Sequence, residues 1–263
     1  MHVVVCIKQI LDPEIPPREF QVDPQTKRAV RGRASLVISP FDLNALEVAV
    51  QLKERAGGRV TVVSLGGEET PEALRRALAM GADEAVWIRD GALEATDANG
   101  TARCLAAAIA KLDEPDLVLF GRQAGDWDQG LVGPMVAEAL GWPLVTNVFQ
   151  TRGENSPLEL LQQAEGGYRV VAATLPAAAT ITNHEANVAR LPKVREIMLA
   201  NRKPITQWSL GDLGLAADEV APRVVVEALA VPVPEGHCTF IEGETAQEKA
   251  QNLARALREL KVI

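Results

Sequence analysis

Aromatic residues are scarce: one tyrosine, four tryptophans and five phenylalanines make up 4% of the 263 residues. The core must therefore be assembled from Ala, Val and Leu, which suits α/β layers whose buried sheet is covered on both faces. Cysteine is scarcer still. Cys6, Cys104 and Cys238 contain no Cys-x-x-Cys pair, so they form neither a disulfide framework nor an iron–sulfur or zinc motif. His2, His184 and His237 are equally dispersed, and no metal-ligand spacing is present. Long apolar runs are missing: none approaches the ~20 residues of a membrane span. The run Val3–Ile7 is too short for a signal sequence, with Lys8 on the wrong side of it. The expected location is cytoplasmic, or a matrix-like compartment after loss of a transit peptide. Excess positive charge is also absent. With 27 Lys and Arg against 35 Asp and Glu, the net charge of −8 argues against a nucleic-acid or anionic-membrane binder.

What is present is a rhythm. The runs Val3–Ile7, Val60–Ser64, Ala85–Ile88, Leu117–Phe120 and Leu144–Phe149 are strand-length and continuously apolar, as in strands buried on both faces. Helical stretches lie between them. Ser39-Pro40-Phe41-Asp42 reads as a capping Ser, a Pro at the first helical position and an acid in the first turn. Thr70-Pro71-Glu72 opens a second helix that stops at Gly81. A third fills about Gly100–Lys111, and a fourth starts near Gly130–Pro134 and stops at Gly141. This alternation implies a doubly wound, mainly parallel α/β sheet.

Two regions break the rhythm. Asp12–Ser35 is Pro-rich, charged and too long for a routine connection. After residue 150 the pattern becomes a hairpin, Leu158–Gln163 and Tyr168–Thr174 around Glu165-Gly166-Gly167. A basic loop follows, then Arg223–Val231 as an expected strand. A linker holding Pro232, Pro234 and Gly236 leads to a last helix over Thr245–Leu260. The reading is a nucleotide-binding α/β domain over 1–200, including a partner loop at 184–203, and a carboxyl-terminal strand and helical arm over 201–263 that packs on another chain.

The most informative stretch runs Gly121-Arg122-Gln123-Ala124-Gly125-Asp126-Trp127-Asp128-Gln129-Gly130-Leu131-Val132-Gly133-Pro134. It leaves a strand and enters a helix, the place where open α/β sheets bind ligands and where helix N–H groups meet phosphates. Gly130 and Gly133 would let the backbone approach a phosphate; the plain alternative is a strand-to-helix loop with Asp126 or Asp128 as a cap. Gly66-Gly67 is a weaker candidate for an adenine or ribose wall. Neither Gly-x-x-x-x-Gly-Lys-Ser/Thr nor an amino-terminal Gly-x-Gly-x-x-Gly occurs, and no nucleophile motif is present. The segment Arg190–Lys203 is net basic and carries Leu191, Val194, Ile197 and Met198. It is either a docking loop or a surface helix with its stripe on the core.

Together these segments resemble the beta subunit of electron-transfer flavoproteins. The carriers are Val4-Val-Cys-Ile-Lys8, Ser39-Pro40-Phe41-Asp42, Ala77–Asp83, Gly121–Ala124, Leu191-Pro192, Ile197-Met198-x-Ala200 and Glu242–Thr245, in order over nearly the whole chain. The resemblance implies a pocket lined by Cys6, Ser39, Pro40, Phe41, Asp42, Leu65 and the loop Gly121–Gly133. In the family this pocket holds AMP or, in electron-bifurcating members, a second FAD; Arg122 and Val132-Gly133-Pro134 look more like the latter. It also implies an FAD held mainly by a larger alpha subunit. An acyl-CoA or other flavin dehydrogenase would dock on Arg190, Leu191, Pro192, Ile197 and Met198. Electrons would pass through the subunit without chemistry catalysed by it. Alternatives on a similar fold are a stand-alone regulatory module of the universal-stress-protein type and a nucleotide α-hydrolase or ligase.

Overall fold

Each continuous apolar run becomes a strand because both of its faces are covered. Val3, Val4 and Val5 are all buried, the odd residues under one helical layer and the even one under the other. The computed structural model describes residues 1–154, 156–232, 236 and 238–263; Pro234 of the linker and His237 lie outside them. The chain begins with β1 (His2–Cys6), β2 (Gln9–Leu11), β3 (Gln21–Asp23), β4 (Arg28–Val30) and β5 (Leu36–Ile38). Then come α1 (Pro40–Ala56), β6 (Arg59–Leu65), α2 (Thr70–Met80), β7 (Glu84–Ile88), α3 (Ala98–Lys111) and β8 (Leu117–Gly121). The second half holds α4 (Val132–Leu140), β9 (Leu144–Arg152), β10 (Leu158–Ala164), β11 (Gly167–Ala173) and β12 (Ala177–Ile181). It closes with α5 (Val194–Ala200), β13 (Thr206–Trp208) and α6 (Ala246–Glu259).

Nine strands form one sheet in the order β11-β10-β9-β12-β8-β1-β6-β7-β13. From β9 to β13 every neighbour is parallel, and the β10–β11 hairpin adds antiparallel strands at one end. Helices α1 and α2 cover one face, α3 and α4 the other. The doubly wound fold is as expected. The Asp12–Ser35 excursion is more ordered than its composition suggests: β2 pairs with β5, and β3 with β4 forms a small hairpin inside it.

The strand expected over Arg223–Val231 does not form. The sheet edge beside β7 is already taken by β13, and a β-branched run without a neighbouring strand has no ladder to join. Instead Asp97 Oδ2 accepts from the Arg223 and Val224 amides at 2.7 and 3.1 Å, and Val224 and Val225 stay exposed. The chain divides into one unit over Met1–Ala228 and another over Leu229–Ile263. Residues 201–228 therefore stay with the sheet. In the second unit, Thr245 caps α6 by accepting from the Glu248 amide at 3.2 Å. No helix among the described residues is long and apolar enough to cross a membrane.

Candidate functional site

The chain leaves β1 toward β6 on one side and returns as β8 on the other, so the carboxyl ends of β1 and β8 flank the topological switch point. Asp42, in the first turn of α1, spans that crevice. Its Oδ2 accepts from the Lys8 amide just past β1 at 2.8 Å, and its Oδ1 accepts from the Gly121 amide ending β8 at 3.0 Å. A side chain at Gly121 would collide with this carboxylate, since its Cβ would lie 2.3 Å from Oδ1. Burial pushes the Asp42 carboxyl up to about 7, against the pull of those two amides. Both oxygens serve the protein itself, so Asp42 forms the floor of the crevice.

The loop after β8 is tied to the segment past β1 at one further point and to the start of α1 at two. Lys8 Nζ donates to Asp126 Oδ2 at 2.6 Å, and the Gly125 amide donates to Ser39 Oγ at 3.3 Å. The Arg122 guanidinium lies 4.5 Å from the centre of the Phe41 ring. Ser39 thus does not cap α1 through its side chain; the hydroxyl faces the loop instead. A Cβ on Gly125 would lie 3.4 Å from Pro40 and 3.3 Å from Ile10, so this glycine lets the loop close onto α1. Arg122 also donates to Thr182 Oγ1 at 3.3 Å, while its Nε is buried without a partner.

Two glycines differ in role. Gly130 has φ of 63°, a left-handed turn that orients the entry to α4. Gly133 was expected to admit a phosphate, but its missing side chain faces the sheet: a Cβ would lie 3.0 Å from Thr180 and 3.2 Å from Phe120. It is a packing glycine. Gln123 donates to Asp128 Oδ1 at 2.8 Å, and Trp127, Asp128, Gln129 and Leu131 form the exposed outer rim. Cys6 is buried at the end of β1, where burial and then the charge of Asp42 hold its thiol far above the ordinary range. A buried, protonated thiol there packs against the core. Leu65 and Val132 pack against the same core layer, whereas Gly66 is pinned by Thr70, 2.3 Å from where its Cβ would be. Lys8, two residues past β1, and Thr182, directly after β12, also meet this loop.

A second candidate region lies around α5. Leu191 is 84% exposed and Val194 75%, with Ile197 and Met198 also exposed; only Ala200 of the helix is buried. A surface helix with its apolar stripe on the core is therefore excluded. Arg190 differs from expectation. It folds back onto α1 and is engaged by Glu47 and Glu54, so it is not a free steering charge. Two clefts lie elsewhere, one lined by His2, Arg59, Lys111 and Trp208 among others, the second between α3 and α4.

This architecture defines an open, doubly wound α/β protein whose loop and helix termini converge at the switch point. The electron transfer flavoprotein domain model matches residues 28–213. Over the full length of both chains, the sequence is 37% identical to the caffeyl-CoA reductase–Etf complex subunit CarD of Acetobacterium woodii. It is equally similar, again over both full lengths, to the electron transfer flavoprotein subunit beta of Thermoanaerobacterium thermosaccharolyticum. With protein FixA of Bradyrhizobium diazoefficiens identity is 33% over 98% of this chain and 91% of that one. The chain belongs to the electron transfer flavoprotein family, in its beta-subunit branch.

Proposed function

We propose that this chain is the small subunit of a heterodimeric electron transfer flavoprotein, handing electrons from a flavin dehydrogenase to a downstream acceptor. FAD is held mainly by the larger subunit, and the switch-point crevice binds an adenosine phosphate, either AMP or a second FAD. The observation that carries the crevice reading is Arg122: a guanidinium with a buried Nε that no protein atom satisfies, at the mouth of a glycine-rich loop. Phosphate oxygens suit such a group. Ser39, Phe41 and Gly121–Gly125 would surround it, with Asp42 as the floor that fixes their spacing. Bound FAD would supply the electron chemistry; the protein supplies binding and orientation. Similarity to a subunit named for a reductase–Etf complex supports the second FAD and a bifurcating role.

The test is copurification with the larger subunit, followed by acid release and mass identification of every nucleotide. Arg122→Ala is the cleaner variant, because any side chain at Gly130 is strained by its positive φ whether or not a ligand binds. Loss of one adenosine phosphate per heterodimer, with the remaining flavin spectrum unchanged, is the expected result. Full nucleotide retention in Arg122→Ala, or a colourless chain that needs no partner, would reject the reading.

A further inference from the structure

The exposed segment around α5 is held at both ends by arginines whose partners lie far away in sequence. At its start, four polar residues spaced along one face of α1 grip the chain leading into it, three through its backbone and Glu54 through the Arg190 side chain. Asn44 donates to the Asn187 carbonyl and Gln51 to the Ala186 carbonyl, each at 3.0 Å. Arg190 closes this grip. Its Nε and backbone amide donate to Glu47 Oε2 at 2.9 and 3.1 Å, and one terminal nitrogen donates to Glu47 Oε1 at 2.9 Å. The terminal nitrogens also reach Glu54 at 2.5 and 3.0 Å. Glu47 is buried, 4% exposed, and Gln51 also donates to its Oε1 at 3.0 Å. At the far end Arg75, from α2, donates to the carbonyls of Ala200 and Lys203, and Lys203 Nζ donates to the Ala82 carbonyl at 2.8 Å. Between the two anchors the apolar side chains of Leu191, Val194, Ile197, Met198 and Leu199 are all exposed.

We infer that Arg190 is a positioning residue, a clamp that fixes the direction in which Leu191-Pro192 leaves α1 and so presents the docking surface ready-made. The inference rests on the docking reading of Leu191–Met198 given above. A planar guanidinium with two carboxylates sets an angle as well as a distance, which a single lysine charge does not. Fixing the loop before contact lowers the ordering cost that binding would otherwise carry. Because Asp42 and Glu54 belong to the same helix, about 18 Å apart along its axis, the floor of the crevice and the clamp share one rigid mount. Beside Leu191 the basic groups turned outward are Lys193 and Arg195, both exposed, with exposed Arg202 just past the helix.

The experiment uses the full chain copurified as its heterodimer, with Arg190→Ala, Glu54→Gln and Leu191→Ala. Hydrogen exchange of the amides from 186 to 191 should rise about tenfold or more in Arg190→Ala, as expected when a charged hydrogen-bond network is removed. Glu54→Gln should move it less, in the same direction. With a substrate-reduced acyl-CoA dehydrogenase as electron donor, Arg190→Ala should raise KM about tenfold with kcat unchanged. Added to Leu191→Ala it should contribute little more, since one residue acts through the other. Unchanged exchange in both clamp variants overturns the inference, as does an additive double variant. If Arg190→Ala does not fold, Glu54→Gln decides by exchange alone. If Leu191→Ala leaves KM unchanged while exchange in the clamp variants rises, the docking reading has failed and the clamp stands as a structural feature.

Discussion

Asp42 shows how one side chain can serve a site at a cost in stability. Its carboxyl is pushed up to about 7 by burial, from an ordinary value of 3.8. Between those values the folded chain keeps a proton that the unfolded chain has released, so stability falls as pH rises from about 4 to about 7 and stays low above that. The loss is on the order of a few kcal/mol. Glu47 works in the opposite direction. Its burial alone would raise its carboxyl, yet the hydrogen bonds from Arg190 outweigh that and hold it below the usual range. Its contribution is present above the ordinary carboxylate range and lost as pH falls through the folded value. From these two groups stability should peak near pH 4, at the ordinary carboxylate range, and thermal melts should decline from there to about pH 7 and level off above it. Asp42→Asn should flatten that decline while losing one hydrogen bond, because an amide cannot accept from both backbone donors. A decline of unchanged slope in the variant would place its origin elsewhere. The cysteines give a simpler check. Cys104 is pushed up to about 11 by burial and then by the charge of Asp90, and Cys6 is raised further. Under native conditions iodoacetamide should modify exposed Cys238 and spare both; mass mapping of alkylated peptides reads this directly.

At the scale of elements, close packing of helix on sheet accounts for Gly133. Gly133→Ala must displace Phe120 or Thr180, or tilt α4, and should cost about 1–3 kcal/mol of stability. Gly141→Ala, at a φ of 66° with nothing within 4 Å, should cost about 1 kcal/mol through backbone strain alone. Chemical denaturation of the two variants separates crowding from strain; equal costs would mean α4 is loosely seated. The same scale explains what could be read from residues alone. The runs that became β1, β7 and β8 are legible because burial on both faces leaves a nearly uninterrupted apolar signature; β6 and β9 carry polar residues as well (Thr61 and Ser64; Thr146 and Asn147) but keep enough branched apolar ones to read as strands. The strand β12, Ala177-Ala-Ala-Thr-Ile181, was not, since alanine favours helix and only the slot between β8 and β9 makes it a strand. The start of α1 was correctly placed while the part played by Ser39 was not, because its partner Gly125 is supplied by the fold. Arg190 reads as a surface charge for the same reason: its carboxylates lie 143 and 136 residues away.

For the whole molecule, charge and exposure are distributed unevenly. A chain of net charge −8 presents its exposed apolar segment, the proposed docking surface, with Lys193 and Arg195 at the surface, while Arg190 is neutralised inward. An electron carrier must meet its donor and leave again, so its contact should be compact, apolar at the centre and steered by a few charges. Leu191 is the candidate centre, being the most exposed apolar residue of the segment and standing before Pro192, whose ring biases it to an extended conformation. Leu191→Ala should remove most of the area it would bury in a dehydrogenase pocket, about 1–3 kcal/mol or roughly 5- to 150-fold in affinity. Folding, bound nucleotide and flavin spectrum should be unaffected, because the side chain packs on nothing in the free chain. Val194, 75% exposed and three residues on, belongs to the same apolar set; Val194→Ala should weaken docking by a smaller factor. Lys193→Glu should lower the association rate and flatten its salt dependence, whereas Arg190→Ala should leave that slope as it is. Stopped-flow reduction of the heterodimer by a substrate-reduced acyl-CoA dehydrogenase, over a range of ionic strength, measures all four. If Leu191→Ala matches the wild type at limiting donor concentration, the dehydrogenase docks elsewhere; if it melts early, Leu191 is buried against the larger subunit rather than offered to a donor.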